Sequence, residues 1–184
     1  ITLRKLDYGK KLALNWPEGK VYIMKQYRDL FKFNQSLYLY KYNRMSCIIP
    51  FYGEAINDEK FLVFGIGSRG TLKDVSMNEF VDVEKSKKIA IQLVFALAYL
   101  HMTNMKPCSI SYDHVSIDWD YNAYLTDLDS PERVINKTPE NLDIENLANV
   151  LKTLATGDSS LSSTKSISSL YEPISIIYEL CRKP

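Results

Sequence analysis

The sequence predicts an α+β protein of two lobes, a β-rich half followed by a helix-rich half. Three observations carry that prediction. Up to about residue 65 the chain is a series of short alternating or apolar runs separated by turn residues. From about residue 84 the apolar residues fall instead at helical spacing. Between these patterns lies the stretch 97–130, LAYLHMTNMKPCSISYDHVSIDWDYNAYLTDLDS. It reads as the end of an apolar helix, a loop, and two short strands joined by a hairpin, the second stopping at Asp127-Leu128-Asp129.

Residues 2–6, 11–15 and 20–27 are predicted strands, with Pro17-Glu18-Gly19 supplying the tight turn between the second and third. Residues 30–42 are a predicted helix that sets Leu30, Phe33, Leu37 and Tyr40 on one face. Strands at 47–52 and 60–65 flank a turn at Asn57-Asp58. Ser68-Arg69-Gly70 then breaks the chain before Thr71, the expected N-cap of a short helix over 72–75. The helix over 84–102 places Ile89, Leu93, Ala96, Leu97 and Leu100 inward, although Lys85, Lys87 and Lys88 near its start oppose the helix dipole. A second amphipathic helix covers 143–155, with Ile144, Leu147, Val150, Leu151 and Leu154 inward and Gly157 as its stop. Residues 159–169 are Ser-rich and read as a loop. A last helix is predicted over 171–181, with Ile174, Ile177, Tyr178 and Cys181 on one face.

A chain of 184 residues can bury one good core, or two small lobes sharing a cleft. Its 23 basic and 22 acidic residues leave a net charge of +1, which offers no field for nucleic acid or an anionic membrane. No basic stripe interleaved with stacking aromatics is legible either. The 13 tyrosines lie in apolar periodic segments, so core and half-buried positions are expected for them. Cys47, Cys108 and Cys181 are odd in number and far apart, which excludes a disulfide framework and a Cys-x-x-Cys metal knuckle and fits a reducing compartment. The most apolar helix contains Gln92 and is too short to span a bilayer, and the first residues are no signal peptide. A cytoplasmic protein is expected.

A series of short signatures adds to this reading. Val21-Tyr22-Ile23-Met24-Lys25 is similar to the third-strand Val-Ala-Ile-Lys of a protein kinase, and Ile48-Ile49-Pro50-Phe51-Tyr52-Gly53 to the strand after helix C. Phe61-Leu62-Val63-Phe64, then Gly70-Thr71-Leu72, is similar to the fifth strand, gatekeeper, hinge and start of helix D. Leu97-Ala98-Tyr99-Leu100-His101 matches the end of helix E. Asp143, opening a helix that ends Ala155-Thr156-Gly157, is similar to helix F and its anchoring aspartate. In this order the signatures resemble the protein-kinase fold over nearly the whole chain. The resemblance implies a protein kinase-like bilobal fold, with an N-lobe over 1–66, a truncated helical C-lobe over 67–184 and a hinge at about 65–67. The spacing from Phe33-Asn34-Gln35-Ser36 to Gly53, the Gly-Thr-Leu and the missing catalytic aspartate resemble the pseudokinases of the mixed lineage kinase domain-like family. The shortened activation segment and C-lobe are most similar to its truncated poxviral members, and the last kinase helix is expected to be absent.

Phosphoryl transfer needs a lysine held by a carboxylate, an aligned base, metal ligands and a loop closing over the phosphates. Lys25 is present, but the position of its glutamate partner is Ser36, and no acidic residue lies between Asp29 and Glu54. Lys25 is then either a nucleotide contact or an apolar-stemmed lysine at a cleft edge. The phosphate loop shrinks to Asp7-Tyr8-Gly9-Lys10-Lys11, without the glycines that close backbone approach requires. Pro107-Cys108-Ser109 replaces His-Arg-Asp, so the base would be Ser109, a neutral hydroxyl. His114 stands where an asparagine would hold the second metal, and an imidazole suits magnesium poorly. Asp127 is retained, as Asp-Leu-Asp. With Asp129 it either holds one cation from a shared strand face or sits in a solvated turn with Leu128 packed inward. Phe64, at the gatekeeper position, would fill the back of the adenine pocket.

The expected assignment is therefore no catalytic residue and no metal. Ser109, His114 and Ser36 are degenerate positions, and Lys25, Phe64 and Asp127 form a vestigial cofactor pocket with weak or absent ATP binding. The segment from Asp129 to Thr138-Pro139-Glu140 is too short for a peptide-substrate platform, so no phosphotransferase is expected. The family resemblance implies a decoy that docks on the kinase domain of a host receptor-interacting protein kinase and blocks necroptosis. It would act as viral immune evasion in the host cytoplasm, with no nucleic-acid or membrane partner. Thr138 and the Ser-rich loop stay as candidate phosphoacceptors. Two other readings stay open: a nucleotide-binding pseudokinase sensor or scaffold in another kinase pathway, and a residual enzyme using the thiol of Cys108 with His114. The sequence does not identify the binding face.

Overall fold

The computed structural model of the chain describes residues 2–6, 9–15, 17–43, 45–78, 81–103, 110–128 and 139–156. It is a mixed α+β protein that divides into two compact units, Ile1–Ile66 and Gly67–Pro184.

In the first unit, alternation interrupted by turn residues builds an antiparallel sheet. Its strands are β1 (Thr2–Lys5), β2 (Lys10–Asn15), β3 (Lys20–Tyr27), β4 (Phe51–Ile56) and β5 (Lys60–Phe64), in the spatial order β1-β2-β3-β5-β4. The turn between β2 and β3 ends on Gly19, whose φ of +64° a side chain would resist. Between β3 and β4 the chain forms α1 (Leu30–Tyr42). Its N-cap is Asp29, whose Oδ1 accepts from the backbone N–H of Phe31 at 2.8 Å and of Lys32 at 3.4 Å.

Helix α1 turns Phe33, Ser36 and Tyr40 inward. Phe33 packs edge-on to Tyr27 of β3, with centroids 5.9 Å apart, and Tyr40 packs on Phe64 of β5 at 4.5 Å. Leu30, expected on that face, is 54% exposed, because the first residue after the cap lies outside the packed turns. The expectation for the tyrosines also needs correcting. Tyr40 and Tyr121 are buried, but Tyr38, Tyr42 and Tyr52 are exposed.

Strand β4 begins at Phe51, later than the expected start at Cys47. The apolar run Cys47-Ile48-Ile49 is buried, but as a turn closed by the Ile48 N–H on the Met45 carbonyl at 3.2 Å. Pro50, which follows, has no N–H for a ladder. The register between β4 and β5 shifts between Phe51 and Gly53, and Gly53 takes a φ of +138° there. An apolar run has the same periodicity in a buried turn as in a buried strand, so the sequence could not separate them.

The second unit holds β6 (Gly70–Thr71), α2 (Leu72–Asn78), α3 (Val83–Met102), a 3-10 turn at Tyr112–His114, β7 (Val115–Ile117), β8 (Ala123–Leu125) and α4 (Pro139–Thr156). β6, β7 and β8 form a small antiparallel sheet in that order. Thr71 caps α2 reciprocally with Asp74. The Thr71 N–H donates to Asp74 Oδ2 at 2.8 Å, and the Asp74 N–H donates to Thr71 Oγ1 at 3.2 Å.

The lysines that weakened the start of α3 are answered by Asp82. Its Oδ1 accepts the Lys85 N–H at 2.9 Å, and its Oδ2 lies 2.9 Å from the Lys85 ammonium. The backbone N–H of Lys85 holds the Asp82 carboxyl below its usual pKa, helped by the ammonium. A negative charge thus sits at the positive end of the helix dipole.

The inward faces of the long helices follow the sequence spacing. Ile89, Leu93, Ala96, Leu97 and Leu100 of α3 are buried, as are Leu147, Val150, Leu151 and Leu154 of α4. Each buried leucine or isoleucine contributes about 1.5–3 kcal/mol. Ile144 is only half-buried. Helix α4 starts a turn earlier than expected, with Pro139 at the position where its missing N–H costs nothing. Among the described residues no helix is long and apolar enough to cross a membrane.

Candidate functional site

Alternation along β3 puts Ile23, Lys25 and Tyr27 on one face of the sheet, and pairing with β5 sets Lys25 beside Leu62 and Ile23 beside Phe64. The ring contacts of Tyr27 with Phe33 and of Phe64 with Tyr40 identify this as the face that α1 covers. Lys25 is buried to 9% exposure, with its ammonium 5.5 Å from the centre of the Tyr27 ring, within reach of its π-face. On the buried side of α1 stands Ser36, 2% exposed. A hydroxyl can accept one hydrogen bond from an ammonium but brings no compensating charge. Phe64 is buried at the other end of the same face, in a three-ring cluster with Tyr40 and Phe51. These rings fill space by their own packing.

The second unit brings His114 and Asp127 together. His114 ends the 3-10 turn, Asp127 follows β8, and Nε2 lies 3.4 Å from Oδ2. Their backbones are tied as well, since both the N–H and the hydroxyl of Thr126 donate to the His114 carbonyl, each at 3.0 Å. Asp127 is 6% exposed and Leu128 3%, so the turn buries both residues. Leu128 packs inward as expected, while the carboxylate is not solvated. An aspartate with an imidazole on one oxygen offers a divalent cation less than a free carboxylate does. Among the described residues no group of three or more His, Cys, Asp or Glu side chains could hold a metal ion.

A second such pair joins the two long helices. His101 Nε2 on α3 lies 3.2 Å from Asp143 Oδ2 on α4, and Asp143 is 1% exposed. The sequence reading singled out both positions without pairing them. Tyr112 makes a further tie by donating its hydroxyl to the Val150 carbonyl at 2.8 Å. Burial raises its pKa, so it stays a neutral donor.

Sequence reasoning missed Asp118. It sits in the β7–β8 hairpin, where Oδ1 accepts the N–H groups of Asp120 and Asn122, and Oδ2 accepts the Asn122 amide and the Tyr124 hydroxyl, all at 2.8–3.0 Å. Burial pushes this carboxyl up, but the hydrogen bonds of Asn122, Tyr124 and Asp120 outweigh it and lower the pKa. The signal was present in Asp118-x-Asp120-x-Asn122, a run of residues that bond to backbone two positions on. Tyr121 beside it takes a φ of +59°.

Lys25, Ser36 and Phe64 belong to the first unit, and His114 and Asp127 to the second. Ser109 and Cys108, Asp129 and Thr138, Gly157, the Ser-rich stretch and the predicted helix at 171–181 lie outside the described residues. Comparison with protein-family models gives no match, and a search of curated proteins finds no similar sequence.

Proposed function

We propose that the chain is a catalytically inactive pseudokinase that works as a protein-binding decoy, sequestering a host receptor-interacting protein kinase and so inhibiting necroptosis. The order of kinase-like signatures supports the fold half of this reading. So does the sheet order β1-β2-β3-β5-β4, with a helix inserted between its third and fourth strands.

The observation that carries the loss of chemistry is Ser36. It lies on the buried side of the helix packed against the Lys25 face, and the family resemblance aligns it with the carboxylate that phosphoryl transfer needs. His114 against Asp127 points the same way, because an imidazole occupies an oxygen that would serve magnesium. The kinase partner follows from the family resemblance alone.

The test is calorimetric titration of the chain with the purified kinase domain, together with a necroptosis assay in cells expressing it. A saturable one-to-one complex and reduced cell death are expected. No binding at tens of micromolar, a level at which any useful decoy would be occupied, rejects the reading. Retention of Lys25 and Asp127 favours a second reading, a nucleotide-responsive scaffold. Thermal denaturation separates the two, since a ligand held only by the folded state raises Tm with its concentration. No shift with ATP and magnesium is expected, and a rising Tm would favour the scaffold.

A further inference from the structure

The outermost line of a surface helix is normally polar, and α1 inverts that pattern. Phe33, Ser36 and Tyr40 face the sheet. At about 100° per residue the opposite line runs through Phe31, Gln35, Tyr38 and Tyr42. Phe31 is 75% exposed, Tyr38 65% and Tyr42 59%. Tyr38 and Tyr42 lean on each other with centroids 4.8 Å apart, so neither ring is loose. The ridge is about 16 Å long from Phe31 to Tyr42. Lys32 and Lys41, both exposed, flank it on opposite sides, and α1 carries no acidic residue. Aromatics clustered on a rigid, capped element are the composition of an interface centre rather than of solvated surface. Tyrosine adds contact area at little cost in conformational freedom.

Charge selects the occupant. A second copy laid ridge to ridge brings no carboxylate to Lys32 or Lys41 in either the antiparallel or the parallel arrangement, since α1 carries none, and only adds its own like charges to the seam. A lipid surface gains only about 1 kcal/mol for each of two lysines, and the ridge offers it three rings interrupted by Gln35 rather than the continuous apolar face of an interfacial helix, because Phe33 and Tyr40 face the sheet. An acidic protein surface built around an apolar groove satisfies both features, taking the rings in its floor and the ammonium groups at its rim. We propose that the Phe31–Tyr38–Tyr42 ridge of α1 docks such a groove. The proposal rests on the reading of the chain as a binding module, and not on the partner's identity.

The first arm of the test titrates the kinase domain against the wild type, the ridge variant Phe31→Ser/Tyr38→Ser/Tyr42→Ser, the rim variant Lys32→Glu/Lys41→Glu, and a control, Met77→Ser, on exposed α2. All of these positions are exposed, so an unchanged Tm confirms folding. The ridge variant is expected to bind about 30-fold more weakly or worse. The rim variant is expected to bind more weakly and to lose the salt dependence, while the control binds as the wild type does. If the kinase domain binds the ridge variant as tightly as the wild type, the ridge proposal is overturned and the binding function stands. If it binds neither, the kinase assignment fails and a second arm decides the ridge. There a photo-crosslinking residue at position 38 is compared in cells with one at position 77, and the captured protein is purified and titrated as above. Loss of its binding in both variants supports the ridge. No adduct specific to position 38, an adduct with a second copy, or binding to anionic vesicles that the ridge variant abolishes overturns the proposal.

Discussion

The two histidine–aspartate pairs of the helical unit use the same chemistry on different supports. His101 and Asp143 each sit on a long helix, and their 3.2 Å contact is a polar tie within an apolar seam. His114 and Asp127 sit on a 3-10 turn and at the exit of a hairpin, 3.4 Å apart. There the two bonds from Thr126 to the His114 carbonyl already hold the turn. The first pair bears on stability because its aspartate is enclosed by helices. The second is backed by the two Thr126 bonds, so less of the turn depends on its side-chain contact. A buried carboxylate in a turn therefore says little about metal binding until the groups that hold it in place are known.

The comparison is open to test, the largest effect first. Asp143→Ala is expected to cost about 3 kcal/mol in urea denaturation, the upper end for loss of a hydrogen bond to a buried charged group. A loss below about 1 kcal/mol would remove the distinction between the pairs. Asp118→Ala, which strips four hydrogen bonds from a charged acceptor, is expected to cost about 2 kcal/mol. Because the Asp118 pKa is lowered in the folded state, its contribution is present above the usual carboxylate value of 3.8 and fades as pH falls through the lowered one. Urea titrations from about pH 5 to about pH 2 should show a shallower acid limb in Asp118→Asn. Asp127→Ala is expected to cost only about 1 kcal/mol, since the Thr126 bonds survive it. A cost equal to that of Asp143→Ala would mean both pairs are structural. In a cycle of Asp127→Ala with Thr126→Val, a coupling of about 0.5 kcal/mol is the smallest effect, and strict additivity would show that backbone and side chains act independently.

Spacing made the long helices legible, because a wrong face on α3 would bury Lys88 and expose Leu93. It gave α1 its limits but not its surface. Phe31, Tyr38 and Tyr42 count as apolar in any periodicity, and only the position of the sheet tells which aromatics face it. The strand at Cys47 failed for a local reason, as Pro50 ends one conformation and Gly53 permits another. For the candidate residues of each unit, the sequence supplied the types at positions 25, 36 and 64 and at 114 and 127, from which loss of charge could be argued. It did not supply the His114–Asp127 contact or the Asp118 network, which depend on hairpin closure.

Both outer strands of the five-stranded sheet carry irregular pairing. β1 shifts register between Thr2 and Arg4, and β4 between Phe51 and Gly53. An outer strand with exposed Tyr52 and Ile56 would otherwise invite another chain to continue the sheet. A bulge on each border twists the edge away from that template. Each border of the sheet thus carries the irregularity that disfavours strand addition by another chain.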